Sequence, residues 1–235
     1  TKIDTSTPTA PTLTGGSTAW INGNRTISVS TPSTSASGIK NYQYYISTSN
    51  TSQTGGTWTD LGVGVTSIDI TTNGTNYIFM RAVNNAGTVG TISSPQTTMI
   101  DTGTPTAPTL TGGSDAWSAS AKTISVATPS TSTSGIKNYQ YYISTSNSSQ
   151  TGGTWTDLGA GVTSIDISNN GTNYIFMRAV NNAGTIGSIS SPQTTKIDPT
   201  DPINISVGKG TVTSKSIQVT ANGSDNESGI TKYEY

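Results

Sequence analysis

The chain has 235 residues, a net charge of −1, and contents of only 30% hydrophobic and 10% charged residues. It contains no cysteine and no histidine, which excludes disulfides, thiolate metal sites and the Ser-His-Asp and Cys-His arrangements of hydrolases. The near-zero net charge argues against nucleic acid as a partner, and no apolar run reaches the ~18 residues that a membrane span needs. We therefore expect neither an enzyme, nor nucleic-acid binding, nor membrane insertion in this segment.

A repeat of 97 residues organises the chain. The motif Thr1-Lys2-Ile3-Asp4 returns at 195–198 and, with Met99 in place of the lysine, at 98–101, and residues 37–87 return almost unchanged as 134–184. A period of this length is that of a whole domain rather than of a solenoid unit. We predict one module at 1–97, a second at 98–194, and the N-terminal part of a third, incomplete one at 195–235.

The first half of each module predicts short strands after a proline-bearing entry. Pro8 and Pro11 favour extended backbone at an edge strand, and Leu13 is the expected first core contact. Residues 17–25 differ most between the modules, which indicates an exposed loop or hairpin end. In residues 26–29 the apolar side chains alternate and predict the next strand.

The second half of each module continues the alternation. Tyr42, Tyr44 and Ile46 are expected on one face of a strand, and short strands follow at 57–59 and 67–70. In the strand at 77–83, Ile78, Met80 and Ala82 are expected on one face, and Tyr77, Phe79, Arg81 and Val83 on the other. About seven short strands per module, with turns between them and no helical periodicity, predict an all-β fold of tandem antiparallel immunoglobulin-like β-sandwich modules.

Several motifs of the module resemble those of a known group of repeats. They are Ser37-Gly38-Ile39 with Tyr42 and Tyr44, Gly56-Thr57-Trp58-Thr59, Gly74, and Arg81-Ala82-Val83-Asn84-Asn85-Ala86-Gly87. This pattern resembles the bacterial immunoglobulin-like and fibronectin type III-like tandem repeats of cell-surface and secreted proteins. The resemblance implies stalks, adhesins or spacer modules of extracellular enzymes. Many relatives carry Asp at the positions of Asn84 and Asn181, and this departure argues against a cation site there.

The aromatic residues are the first candidates for ligand contacts. Large aromatics supply much of the apolar area of a small sandwich, so we expect Trp58 to pack in the core or across strands. Trp20 and Trp117 lie in the variable segment and are the better candidates for stacking against a sugar. They are the ligand residues that the sequence offers.

The acidic residues are the candidates for a metal ion. Asp4, Asp101 and Asp198 recur at the module boundaries, and Asp225 with Glu227 forms the segment richest in oxygen donors. Calcium requires six to eight oxygen ligands, usually with several carboxylates. These five residues are the calcium candidates, but hydrogen bonding at strand ends and turns is the commoner role of Asp. We expect no catalytic residue and no other cofactor.

These observations favour a structural repeat array in an extracellular or cell-surface fibre or stalk, spacing or presenting a functional tip. Its partners would be other copies or modules of the same protein, together with glycans or a host surface. The alternatives are an adhesin or carbohydrate-binding array, whose avidity would come from repetition, and a spacer in an extracellular hydrolase or a phage tail appendage.

Overall fold

A computed structural model of the chain describes residues 2–51, 56–148, 150 and 153–234. Within these ranges the regular structure consists of strands. The first eight are β1 (Thr12–Thr14), β2 (Trp20–Ile21), β3 (Arg25–Thr31), β4 (Ile39–Ser47), β5 (Thr59–Val63), β6 (Ser67–Ile70), β7 (Gly74–Asn84) and β8 (Gln96–Ile100). The next eight repeat this series: β9 (Thr109–Thr111), β10 (Trp117–Ser118), β11 (Lys122–Thr128), β12 (Ile136–Ser144), β13 (Thr156–Asp157), β14 (Ser164–Ile167), β15 (Gly171–Asn181) and β16 (Gln193–Ile197). The last two are β17 (Ile203–Val212) and β18 (Ile217–Ser224).

Each series of eight strands forms one three-stranded and one five-stranded sheet. The orders are β1-β3-β6 with β2-β8-β7-β4-β5, and β9-β11-β14 with β10-β16-β15-β12-β13. The entry segment of each series divides between the two sheets, because β1 pairs antiparallel with β3 whereas β2 pairs in parallel with β8. This strand order is that of an immunoglobulin-like sandwich.

The predicted all-β class of tandem immunoglobulin-like or fibronectin type III-like sandwiches is therefore confirmed. The two-residue strands β2 and β10 add one strand to the seven expected in each sandwich. They lie in the segment that we expected to be a loop, and they place Trp20 opposite Met99 and Trp117 opposite Lys196.

Each sandwich has a small aliphatic core between its sheets. In the first it consists of Leu13, Ile27, Ile70, Ile78, Met80 and Ile100, and in the second of Leu110, Ile124, Ile167, Ile175 and Met177. Ile78 and Met80 share one face of β7, as predicted, and the structure shows that this face meets the core. Tyr44 and Ile46 of β4 pack against the same core, so the expected tyrosine face contributes to it as well.

The outer face of the five-stranded sheet carries a second, smaller packing cluster. Phe79 points away from the aliphatic core and is nevertheless fully buried. The ring of Tyr45 stacks on it with centroids 6.4 Å apart, and Trp58 lies 5.7 Å from Tyr45. The guanidinium carbon of Arg81 lies 4.2 Å from the centre of the Trp58 ring. Trp58 thus packs across strands, as expected, but on the outer face.

A glycine makes room for this cluster. Gly56 precedes Trp58 by two residues, and a side chain at that position would overlap the ring of Tyr45. Packing therefore explains the Gly-Thr-Trp motif. Its glycine lets the backbone approach the ring of Tyr45, and its tryptophan packs against the same ring.

The chain divides into two compact units. The first comprises Thr1–Thr106, Thr131–Lys137 and Val180–Gly187, and the second Ala107–Ser130, Asn138–Ala179 and Ser188–Tyr235. Strand β8 crosses the predicted module boundary at 97/98 and places Ile100 in the first core. The module ranges 1–97, 98–194 and 195–235 remain predictions from the repeat. Among the described residues, no helix has the length and hydropathy to cross a bilayer.

Candidate functional site

The recurring aspartates Asp4, Asp101 and Asp198 each accept several hydrogen bonds from protein donors. Asp4, Asp101 and Asp198 each follow an isoleucine at the start of the 97-residue repeat. Asp101 is fully buried and Asp198 is 7% exposed. Buried carboxylates are costly unless donors surround them, so the donors at each position show what the residue does.

Asp4 gathers donors from three separate segments. Its Oδ2 accepts from the hydroxyl of Ser35 at 2.8 Å, the backbone N–H of Ser37 at 2.7 Å and the side-chain amide of Asn84 at 3.1 Å. Its Oδ1 accepts from the backbone N–H of Ser6 at 2.9 Å and from the Ser6 hydroxyl. The carboxylate therefore ties the entry segment to the loop before β4 and to the end of β7.

The asparagine of this site connects the carboxylate to a turn. Asn84 is fully buried. Its amide nitrogen donates to Asp4, while its carbonyl oxygen accepts from the N–H groups of Ala86 at 3.1 Å and Thr88 at 2.8 Å. Both ends of the side chain are used, so it acts as a hydrogen-bonding bridge and not as a cation ligand.

Asp101 repeats the arrangement in the next 97 residues. Its Oδ2 accepts from the hydroxyl of Ser132 at 2.5 Å, from the hydroxyl and N–H of Ser134 at 2.7 and 2.8 Å, and from Asn181 at 3.0 Å. Burial raises the pKa of Asp101, but the hydrogen bonds from Ser132 and Ser134 outweigh this effect and hold the pKa below its usual value. In Asp4 the hydrogen bonds from Ser37 and Ser6 likewise hold the pKa below its usual value.

Asp101 is also fixed through its backbone to the strands that precede it. Its N–H donates to the carbonyl of Ile21 at 3.0 Å. The next residue, Thr102, donates its N–H and its hydroxyl to Asn73 Oδ1 at 3.0 and 3.1 Å. All of these groups and the carboxylate's partners lie in the first compact unit. Asp101 and Thr102, which follow β8, are therefore hydrogen-bonded both to residues of the preceding repeat and to residues of the next one.

The third aspartate has different surroundings. Asp198 Oδ1 accepts from the N–H and hydroxyl of Thr200, and Oδ2 from the N–H of Ser228 at 3.2 Å. The bonds from Thr200 and Ser228 lower the pKa of Asp198 to about 2. Carboxylate oxygens of Asp198, Asp225 and Glu227 all lie within 4.8 Å of one another, so the structure brings together three of the five calcium candidates.

The chemistry of this cluster differs from that of the first two sites. The hydroxyl and amide donors around Asp101 are neutral, whereas Asp225 and Glu227 add negative charge. Asp225 is engaged by the N–H groups of Ser228 and Gly229 at 3.0 and 3.1 Å. Calcium takes six to eight oxygens, and the cluster brings together one oxygen from each of three carboxylates, so calcium at this cluster stays a prediction. At Asp4 and Asp101 the carboxylates are occupied by protein donors.

The two tryptophans proposed as ligand contacts lie on the short entry strands. Trp20 is half-buried in β2, and Trp117 in β10 is 37% exposed. Their role in stacking against sugars stays a prediction. The ring of Trp58, in contrast, packs against Arg81 and Tyr45.

The sequence did not reveal the donors of the aspartate sites. Ser132 and Asn181 lie 31 and 80 residues from Asp101, and nothing local pairs them. One signal was available, because Asp4 and Asp101 recur in step with the Ser-Gly-Ile and Asn-Asn-Ala-Gly motifs. Residues that recur together at a fixed period are candidates for one hydrogen-bonded cluster.

Comparison with known proteins gives limited similarity. No known protein family and no curated relative matches the chain. Among solved structures, the FN1–FN3 domains of chicken CNTN1 are 17% identical, cover 81% of this chain and 69% of that one, and give a TM-score of 0.37. The fibronectin(III)-like modules of CbhA from Clostridium thermocellum are 12% identical, cover 83% of this chain and 92% of that one, and give a TM-score of 0.32. These values are low, so the fold assignment rests on the strand order described above.

Proposed function

We propose that the chain is a structural repeat array that spaces or presents a functional tip in an extracellular or cell-surface fibre or stalk. The observation that supports this most directly is the continuous bonding around Asp101. Strand β8 ends in the core at Ile100, and the next residue is already bonded to Ile21, Ser132 and Asn181. A chain with no free linker at this point is suited to a semi-rigid spacer.

The surface chemistry suits such a role. Only 10% of the residues are charged, and the ion pair of the described residues, Lys232–Glu234, is exposed on both sides. Exposed ion pairs contribute little and are screened by salt. The fold instead uses serine, threonine and asparagine hydrogen bonds, which depend little on ionic strength, and a module of this kind would keep its structure in varied external media.

A role in catalysis is not part of the proposal. General acid-base chemistry most often uses histidine, and covalent chemistry often uses cysteine, and the sequence has neither. The recurring aspartates are engaged by protein donors on both oxygens. The partners we propose are other modules or copies of the protein, together with the tip or surface that the array presents.

Immunogold electron microscopy tests the proposal. Antibodies raised against the purified chain would be applied to intact cells or particles that carry the protein. Periodic labelling along external filaments or stalks is expected. A matched control uses antibody pre-absorbed with the chain. Labelling confined to the cell interior would contradict both the location and the role.

The adhesin alternative rests on Trp117, the most exposed tryptophan of the described residues at 37%. A repeated sugar-stacking residue would act through avidity. Glycan-array binding that is lost in the double variant Trp20→Ala and Trp117→Ala, but kept in Trp58→Ala, would favour this alternative. Absence of glycan binding by the unmodified chain would reject it.

A further inference from the structure

The hairpin β17–β18 presents a mainly apolar face that is largely uncovered within the described residues. Val207 is 70% exposed, and Ile217 and Val219 are each 61% exposed. Val207 pairs with Ala221, Lys209 with Val219 and, after a register shift, Val212 with Ile217. These side chains therefore lie on one face of the ribbon, with Lys209 as its charged member. The opposite face carries residues such as Gln218 and Thr220. A two-stranded ribbon with an open apolar face is marginally stable by itself.

The repeat identifies the hairpin as one half of a sandwich. Val207 lies nine residues after Asp198, as Leu13 lies nine residues after Asp4, and Ile217-Gln218-Val219 matches Ile27-Ser28-Val29. Leu13 is 7% exposed and Ile27 is fully buried. In the first repeat Leu13 pairs with Val29, which matches Val219. In the hairpin Val207 pairs instead with Ala221, so the register differs from that of the first repeat by two residues. An even shift keeps the same side chains on the same face.

The first sandwich shows what covers these positions. Leu13 and Ile27 pack against Ile78 and Met80 of β7, with Tyr44 and Ile46 of β4 beside them. The cover is thus the inner face of the five-stranded sheet. The second sandwich uses the same arrangement with Ile175 and Met177.

The beginning of this cover is already in place at the hairpin. Ile230 and Tyr233 match Ile39 and Tyr42, the first residues of β4. A side chain at Gly223 would collide with Ile205 and would lie 2.9 Å from Ile230 Cδ1 and 3.5 Å from Tyr233 Oη. In the first repeat the hydroxyl of Tyr42 lies at the corresponding place, accepting from Ser33 N–H at 2.9 Å.

We infer that the apolar face of β17–β18 is a docking surface for a β-sheet of the repeat's own second-half type. The partner is a sheet with the sequence pattern of residues 142–197. In each of the two sandwiches, the alternate apolar side chains of such a sheet cover the corresponding face of the three-stranded sheet. The inference deepens the proposed function, because it rests on the same repeat organisation.

Cysteine labelling tests the inference, since the chain has no cysteine of its own. Tyr235 matches Tyr141, so a copy of residues 142–197 is fused after Tyr235 in the full chain. Val219→Cys and Thr220→Cys are made with and without this extension. They are adjacent and exposed, but on opposite faces, which makes Thr220→Cys the matched control. The rate of reaction with a thiol reagent is measured under native conditions.

Docking is expected to slow labelling of Val219→Cys by at least about 100-fold in the extended chain, because a folded domain opens rarely. Labelling of Thr220→Cys is expected to stay within a few-fold of its rate without the extension. A second extension, with aspartate at its copies of Ile175 and Met177, is expected to restore fast labelling.

Two outcomes overturn the inference. Fast labelling of Val219→Cys in the extended chain would mean that the face does not accept this sheet. Slow labelling in the unextended chain that strengthens with protein concentration would mean that a second copy covers the face instead. Either result leaves the proposed spacer role open, because immunogold labelling tests that role independently.

Discussion

At the level of single residues, Asp101 shows how a buried carboxylate is stabilised by neutral donors. We predict that Asp101→Asn lowers the free energy of unfolding by about 2 kcal/mol at pH 7, since an amide cannot accept all the bonds that Ser132 and Ser134 now donate. Thermal unfolding measures the change. Asp115→Asn, at an exposed carboxylate, is the matched control and is expected to have little effect.

The same variant tests the direction of the pKa shift. The pKa of Asp101 lies below its ordinary value in the folded state, so the unfolded chain binds more protons in acid. The stabilisation is therefore complete above the unfolded pKa of about 4 and is lost as the pH falls through the folded pKa. The difference in melting temperature between Asp101→Asn and the unmodified chain should shrink below about pH 4. A difference that stays constant to low pH would contradict this assignment.

Trp58 offers a second test at this scale. Its ring covers the Tyr45–Phe79 pair and faces the guanidinium of Arg81. We predict that Trp58→Ala costs about 1–3 kcal/mol through lost aromatic packing and the lost cation–π contact. Chemical denaturation measures the loss, with the neighbouring exposed substitution Thr57→Ala as control. Equal stability of the two variants would show that the outer cluster contributes nothing.

At the level of elements, the edge strands β5 and β13 differ although their repeats are nearly identical. Strand β5 extends to Val63, whereas β13 ends at Asp157, and the position matching Val63 is Ala160. Val63 is 79% exposed, so its effect comes from the strand preference of a β-branched residue and not from burial.

The reciprocal exchange Val63→Ala and Ala160→Val tests this explanation. We expect Val63→Ala to speed amide hydrogen exchange at the end of β5, and Ala160→Val to slow it at residues 158–160. The global stability should change by less than about 0.5 kcal/mol in each case, as for other surface changes. Unchanged exchange in both variants would mean that the loops, and not this residue, set the strand length.

The elements also show how far the sequence could be read. Alternation was sufficient to place Ile27 in the core and to put Ile78 and Met80 on one face of their strand, because the spacing of two residues is a property of any strand. It did not predict the burial of Phe79, because the ring that stacks on it, Tyr45, comes from the neighbouring strand β4 and is packed in turn against Trp58. A two-residue strand such as β2 has no periodicity to detect, so its parallel pairing with β8 appears only in the structure.

At the level of the whole molecule, the repeat predicts mechanical independence of the two sandwiches. Each has its own core and the same strand order, and the sequences differ little over the period of 97 residues. When the chain is stretched by its ends, we therefore predict two unfolding events of nearly equal length. Each should release roughly 300 Å, since 97 residues extend to about 350 Å at ~3.6 Å each and a folded module spans about 35 Å.

The hairpin β17–β18 should unfold without a force peak, because its apolar face is uncovered and a lone hairpin is marginally stable. Single-molecule force spectroscopy measures both features. The chain extended by a copy of residues 142–197 is the matched comparison, and it should add a third event if the hairpin accepts that sheet. One event of about twice the length would instead mean that the sandwiches unfold together. The module ranges 1–97 and 98–194 would then not describe separate folding units, and a spacer built from them would unfold cooperatively under force.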